Sequence, residues 1–208
     1  MVTTSKYRIT GKELIQTIDN WDQLINFKVN LIGCGGTALT LLEIKESTKD
    51  ADFIVPLGKE YERLMKFLRS IGYEEKGGGL FHPDDPNFVY QFWVGNKVFA
   101  TDLLDPPLDP GRNIPIKKWR HIYLGALNLQ DLIITKMSRG MQVDVADCVA
   151  AFAASGMDPE ELWKRYAEAA KYDLSPDKMI ENFIVLADAL LEKGLVTHSF
   201  VKKVEECK

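Results

Sequence analysis

Two short motifs early in the chain, a glycine turn and a pair of aspartates, have the residue types and spacing that phosphate chemistry needs. Gly33-Cys34-Gly35-Gly36 ends an apolar run and precedes a short helical stretch. Such a turn offers backbone N–H groups and the positive end of a helix dipole to an anion. Asp50-Ala51-Asp52 opens a second apolar run, and two aspartates one residue apart on a strand point to the same side and can share a metal ion. A phosphate cradle close to a divalent metal is what a phosphoryl- or nucleotidyl-transfer enzyme needs.

A dinucleotide-binding fold is the first alternative, because residues 33–38 match G-x-G-x-x-A between a predicted strand and a predicted helix. In that fold the acidic residue that binds the ribose lies at the end of the second strand. Here Asp50 and Asp52 precede Phe53-Ile54-Val55 and therefore lie at the start of the strand. The aspartates thus disfavour the dinucleotide fold, and a P-loop is excluded because no Gly-Lys-Ser/Thr follows the glycines.

The order of glycine turn, helix and paired aspartates resembles the nucleotidyltransferase superfamily of DNA polymerase beta. Within it, GGTAL followed by STKDADFIV is most similar to the small prokaryotic nucleotidyltransferase-like proteins related to the AbiEii toxins. The resemblance covers residues 27–104, and a looser Lys…Arg…Asp pattern follows between Lys136 and Asp147. It implies an α/β (α+β) nucleotidyltransferase fold with a mixed sheet flanked by helices, and transfer of a nucleoside monophosphate from an NTP to an acceptor.

The resemblance also implies the metal site. Asp50 and Asp52 are expected to hold two Mg²⁺ ions, or Mn²⁺ in their place, that bridge the nucleotide phosphates, with a third acid joining one ion. Asp102 is the best candidate for the third catalytic acid, because it lies in an apolar run where a buried carboxylate needs a partner. Asp105, in a segment rich in turn residues, is the second choice.

Five residues are expected to bind the nucleotide: Gly35, Gly36, Thr37, Lys136 and Arg139. The Thr37 hydroxyl can contact a phosphate or cap the helix. Lys136 and Arg139 lie three apart on one predicted helix and can reach the triphosphate or the acceptor, although a solvated helix end explains them nearly as well.

A purely structural interpretation of the three acids stays open. In it, Asp50 caps a strand entry, Asp52 pairs with a lysine and Asp102 accepts buried hydrogen bonds. The alternative function is therefore a catalytically inactive nucleotide-binding or interaction module of the same fold. For an active enzyme the acceptor is an RNA end, a protein hydroxyl or a small molecule. The toxin-related group favours a macromolecule and implies a neutralising partner protein.

One concentrated basic segment, Lys117-Lys118-Trp119-Arg120-His121, bears on the acceptor. Basic residues interleaved with an aromatic one suit a nucleic-acid strand, so Lys117, Lys118 and Arg120 are candidates for RNA contact. An edge strand protected by lysines has the same composition. The sequence leaves both interpretations open.

Composition and hydrophobic periodicity predict the architecture. The chain has 208 residues, of which 46% are hydrophobic and 27% charged, and its net charge of −4 gives no general attraction to nucleic acid or anionic membranes. We expect an α/β domain over residues 1–126, with helices at 10–26, 37–44 and 59–71 and strands at 27–32, 51–56, 87–94 and 97–104. Gly95-Asn96 separates the last two strands and is a two-residue hairpin signal, so we expect these strands to be antiparallel neighbours. A helical C-terminal region should follow over residues 127–208, with helices that open near residues 128, 143, 158, 175 and 197.

The cysteines and the apolar runs predict the cellular compartment of the protein. Cys34, Cys148 and Cys207 have neither zinc-ligand nor disulfide-framework spacing, and free cysteines fit a reducing cytoplasm. Cys34 is expected to be a small buried residue rather than a reactive thiol. No stretch approaches the ~20 apolar residues of a membrane span, and the N-terminus lacks an apolar signal core. We therefore expect a cytoplasmic protein with no membrane partner.

Overall fold

A seven-stranded mixed β-sheet dominates the first part of the chain, and helices dominate the second. The computed structural model describes residues 8–82 and 84–206. It divides into two compact units. The sheet unit contains the residues up to Asn96 together with Pro106–Leu127, and the helical unit contains Lys97–Asp105 together with the residues from Asn128 onward. The segment Lys97–Asp105 thus belongs to the second unit, whereas the sequence suggested the first.

The elements are given in chain order. The strands are β1 (Ile9–Thr10), β2 (Val29–Gly33), β3 (Ser47–Thr48), β4 (Asp50–Val55), β5 (Glu74–Lys76), β6 (Gly79–His82), β7 (Asp85–Val94), β8 (Lys97–Val98), β9 (Thr101–Asp102), β10 (Asn113–Lys118) and β11 (Ile122–Leu127). The helices are α1 (Gly11–Leu24), α2 (Gly35–Leu41), α3 (Gly58–Ser70), α4 (Leu129–Arg139), α5 (Gln142–Ser155), α6 (Pro159–Ala170), α7 (Pro176–Glu192) and α8 (His198–Glu205).

The central sheet has the strand order β10-β11-β2-β4-β7-β6-β5. Two neighbouring pairs are parallel, β11 with β2 and β4 with β7, and the other four pairs are antiparallel. The mixed sheet and the helical C-terminal region are therefore confirmed.

Strand β4 presents opposite chemistry on its two faces because side chains alternate along a strand. Ala51, Phe53 and Val55 are buried in the main apolar cluster with residues of α1 and α3. Asp50 and Asp52 therefore point to the other face of the sheet. Burial of three apolar side chains on one face fixes the register of β4 and, with it, the direction of both carboxylates.

The predicted hairpin across Gly95 and Asn96 is wrong. Strand β7 pairs with β4 and β6 instead, while β8 and β9 pair only with each other in a separate two-stranded sheet. The hairpin in this region joins β5 to β6 through Gly77 and Gly78, whose φ angles of 60° and 83° suit the tight turns that twisted strands favour. The β10–β11 hairpin was not predicted from the sequence.

In the helical unit, the five helices begin and end close to their sequence signals. Pro159 and Pro176 occupy the first turns of α6 and α7, and Gly140 and Gly156 end α4 and α5 in the left-handed conformation. None of the helices in the described residues combines the length and apolar character that crossing a bilayer requires.

Candidate functional site

The glycine turn and the paired aspartates meet where β2 ends, α2 begins and β4 starts. Gly35 has a φ of 55°, and a Cβ atom at this position would lie 3.0 Å from Asp52 Oδ2. A Cβ atom at Gly36 would lie 2.7 Å from the Thr48 hydroxyl oxygen. That hydroxyl in turn donates to Asp50 Oδ1 at 3.2 Å. Both glycines therefore leave room for polar groups of β3 and β4, which is why side chains are absent at these positions.

Asp50 and Asp52 lie on one face of β4 but differ in burial. Asp52 is 3% exposed, whereas Asp50 is half-buried at the start of the strand. The parallel neighbour β7 places Val89 beside Asp50 and Gln91 beside Asp52. The carboxylates of Asp50 and Asp52 on β4 and the amide of Gln91 on β7 therefore lie on the same face of the sheet. The glycine turn approaches this face at Gly35.

The donor set of Asp50 and Asp52 fits a divalent cation such as Mg²⁺, because carboxylate oxygens are the hard ligands that this ion prefers. The absence of a side chain at Gly35 leaves the Asp52 carboxylate uncovered on that side, which is consistent with that fit. Among residues 8–82 and 84–206, however, no three His, Cys, Asp or Glu side chains are grouped so that they could hold a metal ion. Within the sheet unit, the candidate ligands on this face of β4 are Asp50 and Asp52.

The Thr37 side chain forms hydrogen bonds with the backbone of β4, a contact that the sequence did not predict. Its side chain is completely buried. The hydroxyl accepts a hydrogen bond from the Asp52 backbone N–H at 2.8 Å and donates to the Asp50 backbone carbonyl at 3.3 Å. Capping of α2 by Thr37 is therefore wrong, because the side chain binds the backbone of β4. Contact of Thr37 with a phosphate stays a prediction.

The structure also corrects the expectation that Asp102 is buried in an apolar run. Asp102 ends the short strand β9 of the helical unit, and its side chain is 70% exposed. Its Oδ2 atom lies 3.8 Å from Lys97 Nζ. Burial consequently gives no reason for Asp102 to bind a metal ion, and its assignment as the third acid rests on the resemblance alone.

Lys136 is part of a buried ion-pair network rather than a free cation. Its Nζ atom lies 2.8 Å from Asp147 Oδ2 and 3.3 Å from Asp144 Oδ1, and Lys136 is 5% exposed. Arg139 binds both oxygens of Asp144, at 2.7 and 2.9 Å. The ammonium of Lys136 is therefore enclosed and bonded, and its contact with a nucleotide stays a prediction. The Arg139 side chain is 39% exposed, and its guanidinium also lies 5.0 Å from the centre of the Phe99 ring.

The pKa values in this network shift toward the charged forms. Burial alone would lower the pKa of Lys136, but the hydrogen bond to Asp147 and the charges of Asp147 and Asp144 raise it overall. Burial would likewise raise the pKa of Asp144, yet the hydrogen bond from Arg139 and the charges of Lys136 and Arg139 lower it. The network is thus an ionised structural clamp between α4 and α5.

The helical unit contains a second ion-pair network, which was not predicted from the sequence. Arg165 on α6 binds Asp131 Oδ1 through Nε at 2.7 Å and Asp105 Oδ2 through a terminal nitrogen at 2.9 Å. Asp131 follows the helix cap Asn128 by three residues, and this spacing was the one available signal. Asp105, the second choice for the third acid, is therefore held in an ion pair.

The basic segment at residues 117–121 lies at one edge of the central sheet. Lys117 and Lys118 end the edge strand β10. The Lys117 ammonium lies 4.6 Å from the centre of the Trp119 ring, whose indole N–H donates to Asp19. Trp119 packs partly against the main apolar cluster. These contacts agree with a lysine-protected edge, and RNA contact through Lys117, Lys118 and Arg120 stays a prediction.

The two described cysteines, Cys34 and Cys148, are buried and form no disulfide with each other, whereas Cys207 lies outside the described residues. Burial raises the pKa of the Cys148 thiol. Cys34 caps α2 without a side-chain hydrogen bond to that helix. Its complete burial agrees with the expected small packing residue.

Neither a protein-family model nor a curated protein sequence matches the chain. The chain is similar in fold to the antibiotic-resistance factor ANT(2'')-Ia, with 14% identity, a TM-score of 0.49 and coverage of 76% of this chain and 89% of that one. It is also similar to an antigenic nucleotidyltransferase-like protein from Paracoccidioides brasiliensis, with 13% identity, a TM-score of 0.40 and coverage of 68% and 72%. At these TM-scores neither likeness decides the function of this chain.

Proposed function

We propose that this protein is a Mg²⁺-dependent nucleotidyltransferase that moves a nucleoside monophosphate from an NTP to an acceptor and releases pyrophosphate. The observation that carries the proposal is the contact between Gly35 and Asp52. A glycine with a φ of 55° opens a helix against a carboxylate that lies 3.0 Å from where its Cβ would be. Backbone N–H groups that suit a phosphate and a carboxylate that suits a cation are thereby adjacent.

Each residue has a defined part in this proposal. Asp50 and Asp52 hold Mg²⁺, or Mn²⁺, and a second ion is expected as in the related enzymes. The metal supplies charge neutralisation of the nucleotide phosphates. Gly35 and Gly36 offer backbone N–H groups to the phosphates. Asp102 is proposed as the third acid, since its exposed carboxylate can accept the proton of an acceptor hydroxyl.

The cationic contribution to nucleotide binding is assigned to Arg139. Its side chain is 39% exposed while it holds Asp144, so the guanidinium can approach a phosphate without breaking the buried pair. Lys136 has only an indirect part in this proposal. It pairs with Asp144 and Asp147 on α5 and so holds in place the carboxylate that Arg139 binds.

The acceptor class and the cellular setting follow from the resemblance and from weaker observations. An RNA end is supported by the exposed Lys117, Lys118 and Arg120, and a protein hydroxyl or a small molecule would serve the same chemistry. A toxin-related role would bring a neutralising partner protein. A cytoplasmic setting is proposed from the cysteine spacing in the sequence, which has no disulfide-framework pattern.

The test is nucleotide transfer by the purified protein. The protein is incubated with each α-³²P-labelled NTP, Mg²⁺ or Mn²⁺, and total RNA, cell lysate or small-molecule extract. Label should appear in one acceptor fraction and disappear with Asp50→Asn or Asp52→Asn. Asp188→Asn, at an exposed position on α7, is the matched control and should retain transfer. Transfer that survives in both site variants would overturn the assignment.

A catalytically inactive nucleotide-binding module is the second candidate. It is favoured by the contact of Asp102, whose exposed carboxylate lies 3.8 Å from Lys97 Nζ as in an ordinary surface ion pair. NTP and Mn²⁺ binding by the wild type, lost in Asp52→Asn and without transfer to any acceptor fraction, would establish this alternative over the enzyme.

A further inference from the structure

We propose that Thr37 is a positioning residue that fixes the directions of Asp50 and Asp52, and not a phosphate ligand. The inference rests on the proposed function of the Asp50–Asp52 site, because it assigns the way in which that site is held. Its evidence is the hydrogen-bond pattern where the β2–β4 ladder ends.

The ladder between β2 and β4 is short. Its register pairs are Ile32 with Ile54 and Gly33 with Phe53. One further backbone bond follows, from Cys34 N–H to the Asp52 carbonyl at 3.0 Å. Beyond it the chain turns into α2, so the first part of β4 has no residue of β2 beside it.

The Thr37 hydroxyl continues the ladder in place of a strand. A hydroxyl has one donor hydrogen and can also accept. Here it donates to the Asp50 carbonyl at 3.3 Å and accepts from the Asp52 N–H at 2.8 Å. A single side chain therefore satisfies backbone groups of both aspartates that carry the proposed metal site.

Thr37 itself is tightly held. It is 0% exposed, and a Cβ at Gly33 would lie 3.2 Å from the Thr37 methyl carbon. A β-branched side chain has few χ1 rotamers, so close packing of the methyl against Gly33 sets the direction of the hydroxyl. The hydroxyl thus makes the contacts with β4, and the methyl restricts its rotamers.

This arrangement excludes the hydroxyl as a phosphate donor. Its one hydrogen points to the Asp50 carbonyl, and no part of the side chain reaches solvent. Without the hydroxyl, the Asp52 N–H and the Asp50 carbonyl would lose a partner, and the start of β4 would have to move or admit water. Metal sites tolerate ligand displacements of only ~0.5 Å, so such a movement would reach the carboxylates.

The test compares Thr37→Val, which keeps the shape and removes the hydroxyl, with Thr37→Ser, which keeps the hydroxyl. Thr40→Val is the matched control, because Thr40 is a buried threonine of the same helix whose hydroxyl has no hydrogen-bond partner among the described residues. Two measurements need no catalysis: amide hydrogen exchange of Asp52 in the metal-free protein, and Mn²⁺ affinity by titration calorimetry.

We expect faster exchange of the Asp52 amide in Thr37→Val and Mn²⁺ affinity weaker by about tenfold or more, as for other residues that orient metal ligands. Thr37→Ser and Thr40→Val should match the wild type in both. Unchanged exchange and Mn²⁺ affinity in Thr37→Val, with a raised KM for NTP, would overturn the inference and make Thr37 a phosphate ligand.

The outcome is separable from that of the proposed function. If the wild type transfers no nucleotide but Thr37→Val alone loses amide protection and Mn²⁺ affinity, enzymatic activity is refuted and the positioning role stands. If the wild type binds no Mn²⁺, the metal site is refuted, and the exchange of the Asp52 amide in metal-free Thr37→Val alone decides whether Thr37 holds the start of β4.

Discussion

Gly35 approaches Asp52 so closely that a Cβ atom on the glycine would lie 3.0 Å from the Asp52 carboxylate oxygen Oδ2. The glycine also has a φ of 55°, a conformation that is unfavourable for residues with a side chain. Conformation and space thus both require glycine at the point where the turn faces the proposed metal ligand.

Gly35→Ala should therefore impair the site more than the fold. We expect a loss of about 1 kcal/mol in unfolding free energy from the positive φ, and Mn²⁺ affinity weaker by about tenfold because the new methyl displaces the Asp52 carboxylate. Urea unfolding and titration calorimetry measure the two effects. Gly156→Ala is the control, because Gly156 has a φ of 62° with no atom within 4 Å of its Cβ position. An equal loss of Mn²⁺ affinity in both variants would contradict the steric argument.

Lys136→Met should destabilise the helical unit. The substitution keeps an unbranched chain of similar length but removes the buried ammonium, which leaves the carboxylates of Asp144 and Asp147 without their shared cation. Breaking a buried pair in this way costs about 3 kcal/mol, to be measured by urea unfolding. Where the variant is folded, its KM for NTP should stay within about twofold of the wild-type value. Normal stability with a strongly raised KM would instead identify Lys136 as a nucleotide ligand.

The lowered pKa of Asp144 predicts an acid-dependent contribution to stability. Its folded pKa lies below its ordinary value of 3.8, so the unfolded chain takes up the proton first as the pH falls. The stabilisation is complete above the ordinary pKa and is lost as the pH falls through the folded value. The difference in unfolding free energy between wild type and Asp144→Asn should be constant near neutral pH and shrink below pH ~4. A difference that does not change with pH would show that the charge of Asp144 contributes nothing.

Local sequence signals predicted the helices well because the information lies within each segment. Thr10 and Glu13 form the capping box of α1, and Pro159 and Pro176 open α6 and α7. The alternation of Asp50 and Asp52 with apolar residues likewise placed both carboxylates on one face of β4. Periodicity and capping are properties of neighbouring residues, so one sequence is enough to detect them.

Pairing between distant segments was less predictable. Gly95-Asn96 has the composition of a hairpin turn, yet β7 finds its antiparallel partner in β6. The burial of Lys136 and the exposure of Asp102 reversed expectations drawn from their apolar or polar neighbours. Thr37 binds backbone groups 13 and 15 residues away, and no local pattern encodes such a contact.

Asp102 and Asp105 can be separated as candidates for the third acid by one pair of variants. The Asp102 side chain is 70% exposed and lies 3.8 Å from Lys97 Nζ, an arrangement that contributes little to stability. Asp102→Asn should therefore change the unfolding free energy by no more than about 0.5 kcal/mol. If Asp102 accepts the acceptor proton, the same variant should lower kcat for nucleotide transfer by about a hundredfold.

Asp105 should show the opposite pattern. Its carboxylate binds Arg165 at 2.9 Å, and Arg165 also holds the buried Asp131. Asp105→Asn should therefore cost about 2 kcal/mol of stability with kcat nearly unchanged in the folded fraction. Urea unfolding gives the free energy of unfolding of each variant, and single-turnover assays give the rate of nucleotide transfer of each. A loss of kcat in Asp105→Asn with wild-type activity in Asp102→Asn would move the catalytic role to Asp105, because only a group that takes part in the chemistry lowers the rate without loss of folded protein.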